Sequence, residues 1–278
     1  MNAMDTRLHD KPAIVLGGGI GPMAGTLLHQ AIIRNTPDVR TDADHLDIVH
    51  LSLSSSLPDR TAFLMGRELR NPGPVMAKAI VAASTQLALA GRRWLAALPC
   101  CTFHTPAIFD AFLDDLDGAP GLARVVHLVD ETVAHLLAHS ARPKRIGVLS
   151  TEGSHRMGLW RDPLRAAGFD VYDMTAQEAG AFHAVIYDPG FGLKATFPPS
   201  PRACTEVVAA CGKMMEAGVE ALVLGCTELS MVADLVERQI GADIVVCDPV
   251  DVQARACVAA AFGGEAAATG QGRTLAVA

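Results

Sequence analysis

Apolar residues in this chain fall in short runs, each followed by a stretch of helical length. Residues 13–16, 48–53, 94–98, 145–149, 170–172, 221–224 and 244–247 read as strands. The runs at 13–16, 94–98 and 221–224 do not alternate polar with apolar positions, which is the pattern of parallel strands covered on both faces. Helices are predicted over 23–35, 75–90, 105–116, 129–139, 155–167, 203–217 and 252–262. Asp117-Gly118-Ala119-Pro120-Gly121 breaks the pattern near the middle, and residues 188–201 form a long loop rich in glycine and proline. Strand and helix alternating in this way predict an α/β fold of mostly parallel sheets flanked by helices. The rhythm of the first half recurs in the second.

One unit of that rhythm appears twice. An Ala-Gly pair (Ala90-Gly91, Ala217-Gly218) introduces an apolar run, and the run ends in Pro99-Cys100-Cys101-Thr102-Phe103-His104 or in Gly225-Cys226-Thr227-Glu228. Open parallel sheets bind ligands outside the carboxyl ends of their strands. The conspicuous motifs sit at such ends: residues 17–22, 54–60, 100–104, 151–154 and 226–228. A thiol at each of two strand ends can stand on either side of one small molecule.

Composition narrows the reading. The 278 residues suit one large domain or two lobes, half of them are apolar, and only 19% are charged, as in a compact enzyme rather than a disordered chain. The net charge is −7 and no basic stripe is present, which argues against nucleic acid. No apolar stretch reaches membrane-spanning length. Seven cysteines, an odd number, and a polar start over 1–11 point to a reducing, cytoplasmic setting. The cysteines lack paired C-x-x-C spacing, so no metal is expected. The glycines over 17–21 do not make a dinucleotide fingerprint, because Pro22 and Ala24 take the third positions. They leave a tight strand-to-helix turn whose amides, at Gly19, Ile20 and Gly21, could hold a carboxylate.

Each candidate also has a plain structural reading. Free cysteine is among the most buried residue types. Cys204, Cys211, Cys247 and Cys257 fit that reading, whereas Cys100 and Cys226 recur in matching contexts. His104 either polarises a carboxylate, tunes the thiol or caps the next helix. Glu228 either meets a substrate ammonium, orients an amide or is a helix-start acid. Arg60 and Lys194 are either carboxylate anchors or solvated surface charges.

The segments Gly18-Gly19-Ile20-Gly21-Pro22, Pro58-Asp59-Arg60-Thr61, 99–104, Thr151-Glu152-Gly153-Ser154, Gly192-Leu193-Lys194-Ala195, 225–228 and Asp248-Pro249, in this order and spacing, resemble the cofactor-independent aspartate/glutamate racemase superfamily, and within it the aspartate racemase branch. The resemblance spans residues 12–262. It implies two pseudo-symmetric α/β lobes with the active site in the cleft between them, and no cofactor. The lobes would be 12–120 joined by 244–262, and 121–243, with flexible tails at 1–11 and 263–278. The resemblance implies Cys100 and Cys226 as paired acid and base, Arg60 and Lys194 as binders of the substrate carboxylate, and Cys101, Thr102, Thr151, Ser154 and Thr227 as lining. It also implies a homodimer acting on a small carboxylate or amino acid. The family usually has Asn-Thr-Ala-His after its first cysteine; here Cys101 stands for the Asn and Phe103 for the Ala. The expected activity is racemisation or epimerisation of an acidic, aspartate- or glutamate-like amino acid. The alternatives are an isomerase or decarboxylase of a dicarboxylic acid, and a non-catalytic binding homologue.

Overall fold

The computed structural model describes residues 11–172 and 174–263; the expected tails lie, but for their innermost residues, outside that range. Two units divide it: one runs to Glu131 and resumes at Gln253, and the other is Thr132–Val252. Each is built on a four-stranded parallel sheet with helices on its flanks.

In the first unit the strands are β1 (Ala13–Gly18), β2 (Ile48–Ser52), β3 (Trp94–Ala97) and β4 (Leu122–Val126), in the spatial order β2-β1-β3-β4. Ile14 pairs with Ile48 on one side and Leu95 on the other, and Ala97 pairs with Val126. Parallel neighbours need crossovers. These are supplied by α1 (Pro22–Asn35), by α2 (Arg60–Leu64) with α3 (Pro72–Leu89), and by α4 (Pro106–Leu116). Proline opens α1, α3 and α4, where its missing N–H goes unmissed and its fixed φ suits a helix.

The second unit repeats the plan with β5 (Arg145–Val148), β6 (Asp170–Tyr172), β7 (Ala221–Val223) and β8 (Val245–Cys247), ordered β6-β5-β7-β8. Position for position, β5 matches β1 and β7 matches β3. Its helices are α5 (Leu128–Ala138), which leads in from the first unit, α6 (Glu152–Arg156), α7 (Arg161–Ala166), α8 (Ala176–Tyr187), α9 (Pro201–Glu216) and α10 (Ala233–Ile240). The last helix, α11 (Pro249–Ala261), carries the chain back to the first unit. Both crossings fall further along the chain than the division at 120/121 and 243/244, because β4 is hydrogen-bonded to β3 and β8 to β7.

Alternation along the central strands places the thiols. Trp94, Ala96, Leu98 and Cys100 all belong to the first unit's core, with Met76, Ile80, Phe103 and Phe112. Leu222, Leu224 and Cys226 belong to the second unit's core, with Phe182, Val207, Met214 and Leu229. Every second residue of a strand shares a face. Each cysteine thus continues the core-facing row of its strand past the last ladder residue, and both are almost wholly covered.

Candidate functional site

Cys100 and Cys226 have equivalent backbones. Each is extended, with φ −151° and ψ 108° at Cys100 and φ −132° and ψ 129° at Cys226, and each precedes a short 3-10 turn, Cys101–His104 or Thr227–Val232. In each, the cysteine carbonyl accepts a bond from the amide three residues on: Phe103 N–H at 3.1 Å, Leu229 N–H at 2.9 Å. Phe103 and Leu229 are fully buried, so each turn is nailed into its core just beyond the thiol. Phe103, the bulky departure from the family pattern, packs edge-on against Phe112, with ring centroids 5.3 Å apart. It fills core space rather than lining the site. Cys101 is buried and Thr102 half-buried.

Around Cys100, the Leu98 carbonyl accepts the Cys100 N–H at 2.9 Å and the Gln253 amide at 3.4 Å; Gln253 also reaches the Val126 carbonyl at 2.9 Å. His104 is buried, and its two ring nitrogens face the Cys100 carbonyl and the Leu128 amide. Burial, then the neighbouring His127, hold its pKa well below the ordinary histidine value, against the bond to Cys100. In the same unit the turn over 17–22 needs glycine. Gly19 has φ +90° and Gly21 φ +119°, and a Cβ on Gly19 would lie 2.2 Å from the Leu53 nitrogen. Ile20, between them, is buried. Arg60 opens α2, half-buried, with Nη1 donating to the Pro58 carbonyl at 3.3 Å. The Asp59 side chain caps that helix through the Ala62 N–H at 2.6 Å.

In the second unit the chemistry-bearing groups touch. The Cys226 thiol donates to Glu228 Oε2 at 3.1 Å, and the Lys194 ammonium is in direct ionic contact with Glu228 Oε1. Glu228 is buried within the 3-10 turn, not exposed at a helix start. Burial alone would raise its carboxyl, but the Lys194 charge and the bonds from Lys194 and Cys226 outweigh it and hold the pKa below the usual carboxylate value. Burial, then the Glu228 charge, push the Cys226 thiol well up, with Lys194 opposing. Lys194 is raised in turn: burial would lower it, and the Glu228 charge prevails. The ammonium also stands 5.3 Å from the Tyr187 ring centroid. Its backbone is tied to the end of α8 through the Leu193 and Lys194 amides, at 2.9 and 3.0 Å.

Thr151 and Ser154 sit together at the start of α6, with the Thr151 hydroxyl donating to Ser154 Oγ at 3.1 Å. Thr227 is buried beside Cys226. Ser230, in the same turn, donates to Asp248 Oδ1 at 2.7 Å, and burial raises that carboxyl to about 6. Two features were not expected from sequence. One is the carboxylate joining Lys194 to Cys226, for which Cys-x-Glu spacing was the available signal. The other is Trp160, whose indole N–H donates to the Gly225 carbonyl at 3.0 Å.

Among the described residues, no cluster of three or more His, Cys, Asp or Glu could hold a metal ion, and no helix is long and apolar enough to cross a membrane. No disulfide joins the seven cysteines.

The fold is shared with solved structures. An aspartate racemase from Picrophilus torridus matches with TM-score 0.67 and 21% identity, over 91% of this chain and 94% of that one. An aspartate racemase homologue from Pyrococcus horikoshii OT3 matches with TM-score 0.62 and 18% identity, over 91% and 99%. A glutamate racemase from Francisella tularensis matches with TM-score 0.60 and 15% identity, over 92% and 82%. The sequence model of one family, Asp/Glu/Hydantoin racemase, matches residues 18–257. With that match covering most of the chain, and the two-lobed fold beneath it, the chain belongs to the Asp/Glu/Hydantoin racemase family of isomerases.

Proposed function

We propose that this protein is a cofactor-independent racemase of an acidic amino acid, of the aspartate racemase branch, that moves the α-proton between Cys100 and Cys226. The observation that carries the reading is the matched placement of the two thiols. Each stands at the end of the equivalent central strand, with the same backbone conformation and the same capping bond. Racemisation removes a proton from one face of Cα and delivers one to the other, and a single base does not serve both faces.

The contacts support an order of events. Cys226 starts as the thiol, because its neighbour Glu228 is held ionised by Lys194 and can only accept. In the half-reaction that begins there, Cys226 donates the proton and Cys100 takes one. Each turnover leaves the two protonation states exchanged, and the enantiomer formed is the substrate for the return. Acid–base assistance of this kind contributes about 10²–10⁴-fold. The rest must come from groups that stabilise the carboxylate as it gains enolate character. Arg60, the amides of Gly19, Ile20 and Gly21, and the hydroxyls of Thr102, Thr151, Ser154 and Thr227 are the candidates, with Cys101 as lining. Lys194 contributes its charge to the substrate carboxylate while anchoring Glu228. The thiol chemistry fits a cytoplasmic protein, and a homodimer is the assembly we expect.

The test is incubation in deuterium oxide with each enantiomer of aspartate and glutamate, followed by chiral chromatography and mass spectrometry. Inversion with one deuterium at Cα is the expected result. No exchange from either hand of any amino acid in a wider panel rejects the reading, and turnover of a malonate or of maleate instead would move the activity to dicarboxylic acids. Arg60 offers a smaller check. Asp59→Ala removes the cap of α2 and should cost about 1 kcal/mol of stability in urea melts. KM for the substrate should rise and kcat should fall, since Arg60 both binds the carboxylate and stabilises it as it gains enolate character.

A further inference from the structure

We propose that His104 and Trp160 are positioning residues, each fixing with a ring N–H the peptide group beside the thiol of its own lobe. The inference rests on the racemase reading above and adds to it the means by which the thiols are held.

The tautomer of His104 follows from its partners. The Leu128 amide donates to Nε2 at 3.3 Å, so Nε2 carries no proton, and Nδ1–H donates to the Cys100 carbonyl at 3.0 Å. The imidazole therefore bridges the peptide after Cys100 to the start of α5. It has little freedom to turn. Phe109 is stacked on it with centroids 4.9 Å apart and planes at 28°, and His127 meets it edge-on at 4.5 Å.

Trp160 does the corresponding work in the other lobe. It is 2% exposed, and its Nε1–H donates to the carbonyl of Gly225, the peptide group that leads into Cys226. The contact is close on all sides: a Cβ on Gly225 would lie 2.8 Å from Trp160 Nε1 and 2.8 Å from Val148 Cγ1. Glycine is needed there so that the indole can reach the backbone.

Both rings act on a carbonyl of a peptide group that flanks the cysteine Cα, and both are rigid and buried, so neither side chain must be ordered during the reaction. Proton transfer at carbon depends steeply on placement, and a misplacement of about 1 Å can cost 10²-fold.

The test is selective alkylation. The purified protein is treated with iodoacetamide and the modification of the Cys100 and Cys226 peptides is followed by mass spectrometry, a measurement that needs no substrate. Trp160→Phe keeps an aromatic ring and loses the N–H; the lost hydrogen bond eases local opening around Cys226, which should speed its alkylation by about tenfold and leave Cys100 within about twofold. His104→Phe should do the reverse, and His104→Asn, whose amide can still donate to the Cys100 carbonyl, should return Cys100 to near its original rate. In the racemase assay each variant should lower kcat by about 10–100-fold with KM little changed. The α-deuterium isotope effects measured from the two enantiomers should shift in opposite senses in the two variants. Equal acceleration of both thiols in each variant, or no change in either, overturns the proposal. Should Trp160→Phe not fold, the His104 pair decides it alone. A protein that shows selective alkylation but no racemisation keeps the positioning roles and loses the racemase reading.

Discussion

Cys226→Ala and Cys100→Ala are each expected to lose racemisation in both directions by about 10³-fold or more, within the range that positioned acid–base groups contribute. The sharper result is what remains. Each variant keeps one thiol, and one thiol can remove the α-proton from a single face and return a deuteron to the same face. Cys226→Ala should therefore exchange the α-hydrogen of one enantiomer with solvent, with retention, and leave the other untouched. Cys100→Ala should exchange the opposite enantiomer. Neither thiol is needed for the fold in the way a large core residue is, although both lie at the rim of a core; alanine leaves only the volume of a sulfur atom. Melting curves should stay close to the parent, which separates lost chemistry from lost structure. Exchange of the same enantiomer by both variants would mean that the two thiols serve one face, and the paired mechanism would fail.

The reason the two thiols were visible in the sequence is that the fold writes the same instruction twice. An Ala-Gly pair ends a helix, an apolar run crosses the sheet, and a cysteine follows where the strand leaves its ladder. Continuous apolar runs mark strands covered on both faces, so β1, β3 and β7 stood out. The edge strand β4 did not. Leu122-Ala-Arg-Val-Val is half-exposed along most of its length, and its sequence differs little from a loop. Helix α8 was missed for a related reason: Gly180 weakens the helical signal, and the exposed Ala176 and Ala181 blur the contrast with the buried row Ala179, Phe182, Val185 and Ile186. Its start was legible in principle, since Thr175 and Glu178 form a reciprocal capping box. The stretch expected as one helix over 155–167 is two, α6 and α7, with Gly158 at φ +64° in the turn between them.

The site was legible in its residue types and not in its contacts. Cys-Thr-Glu at a strand end marks a place where chemistry can occur, but the spacing alone leaves Glu228 three readings. Only the fold brings Lys194, thirty-four residues upstream, onto the same carboxylate. Likewise the sequence leaves His104 three readings, and the fold puts both of its ring nitrogens on backbone groups. Long-range hydrogen bonds join residues whose sequence separation carries no periodic signal, and these are the interactions that fix protonation states in this protein.

Lys194→Met is expected to destabilise the protein by about 3 kcal/mol, the low end for breaking a buried pair, because the Lys194 side chain keeps 23% of its surface while the carboxylate left behind is buried. Glu228 is 3% exposed, and the thiol that remains beside it is a weak donor. The pH dependence separates this cause from lost packing. In the parent, Lys194 overcomes burial and holds the Glu228 carboxyl below its ordinary value. A carboxyl lowered by folding contributes stability above its unfolded pKa of about 4.3, and that contribution is lost as pH falls through the folded value. In Lys194→Met burial, its largest single influence, is opposed only by the Cys226 bond and a backbone amide, and the carboxyl moves up. Its contribution is then complete below about pH 4.3 and is lost as pH rises. Lys194 itself is raised by folding, so its contribution is complete at all pH values below about 10.4 and adds no slope in acid. Plots of urea-derived stability against pH should diverge from about pH 4 upward, with the gap widening toward neutrality. Adding Glu228→Gln to Lys194→Met should recover most of the loss, since no charge is then left in the core, while racemisation stays low because Cys226 has lost its carboxylate partner. Parallel pH curves for parent and Lys194→Met would mean that some other group keeps Glu228 ionised, and the assignment of Cys226 as the first proton donor would lose its basis.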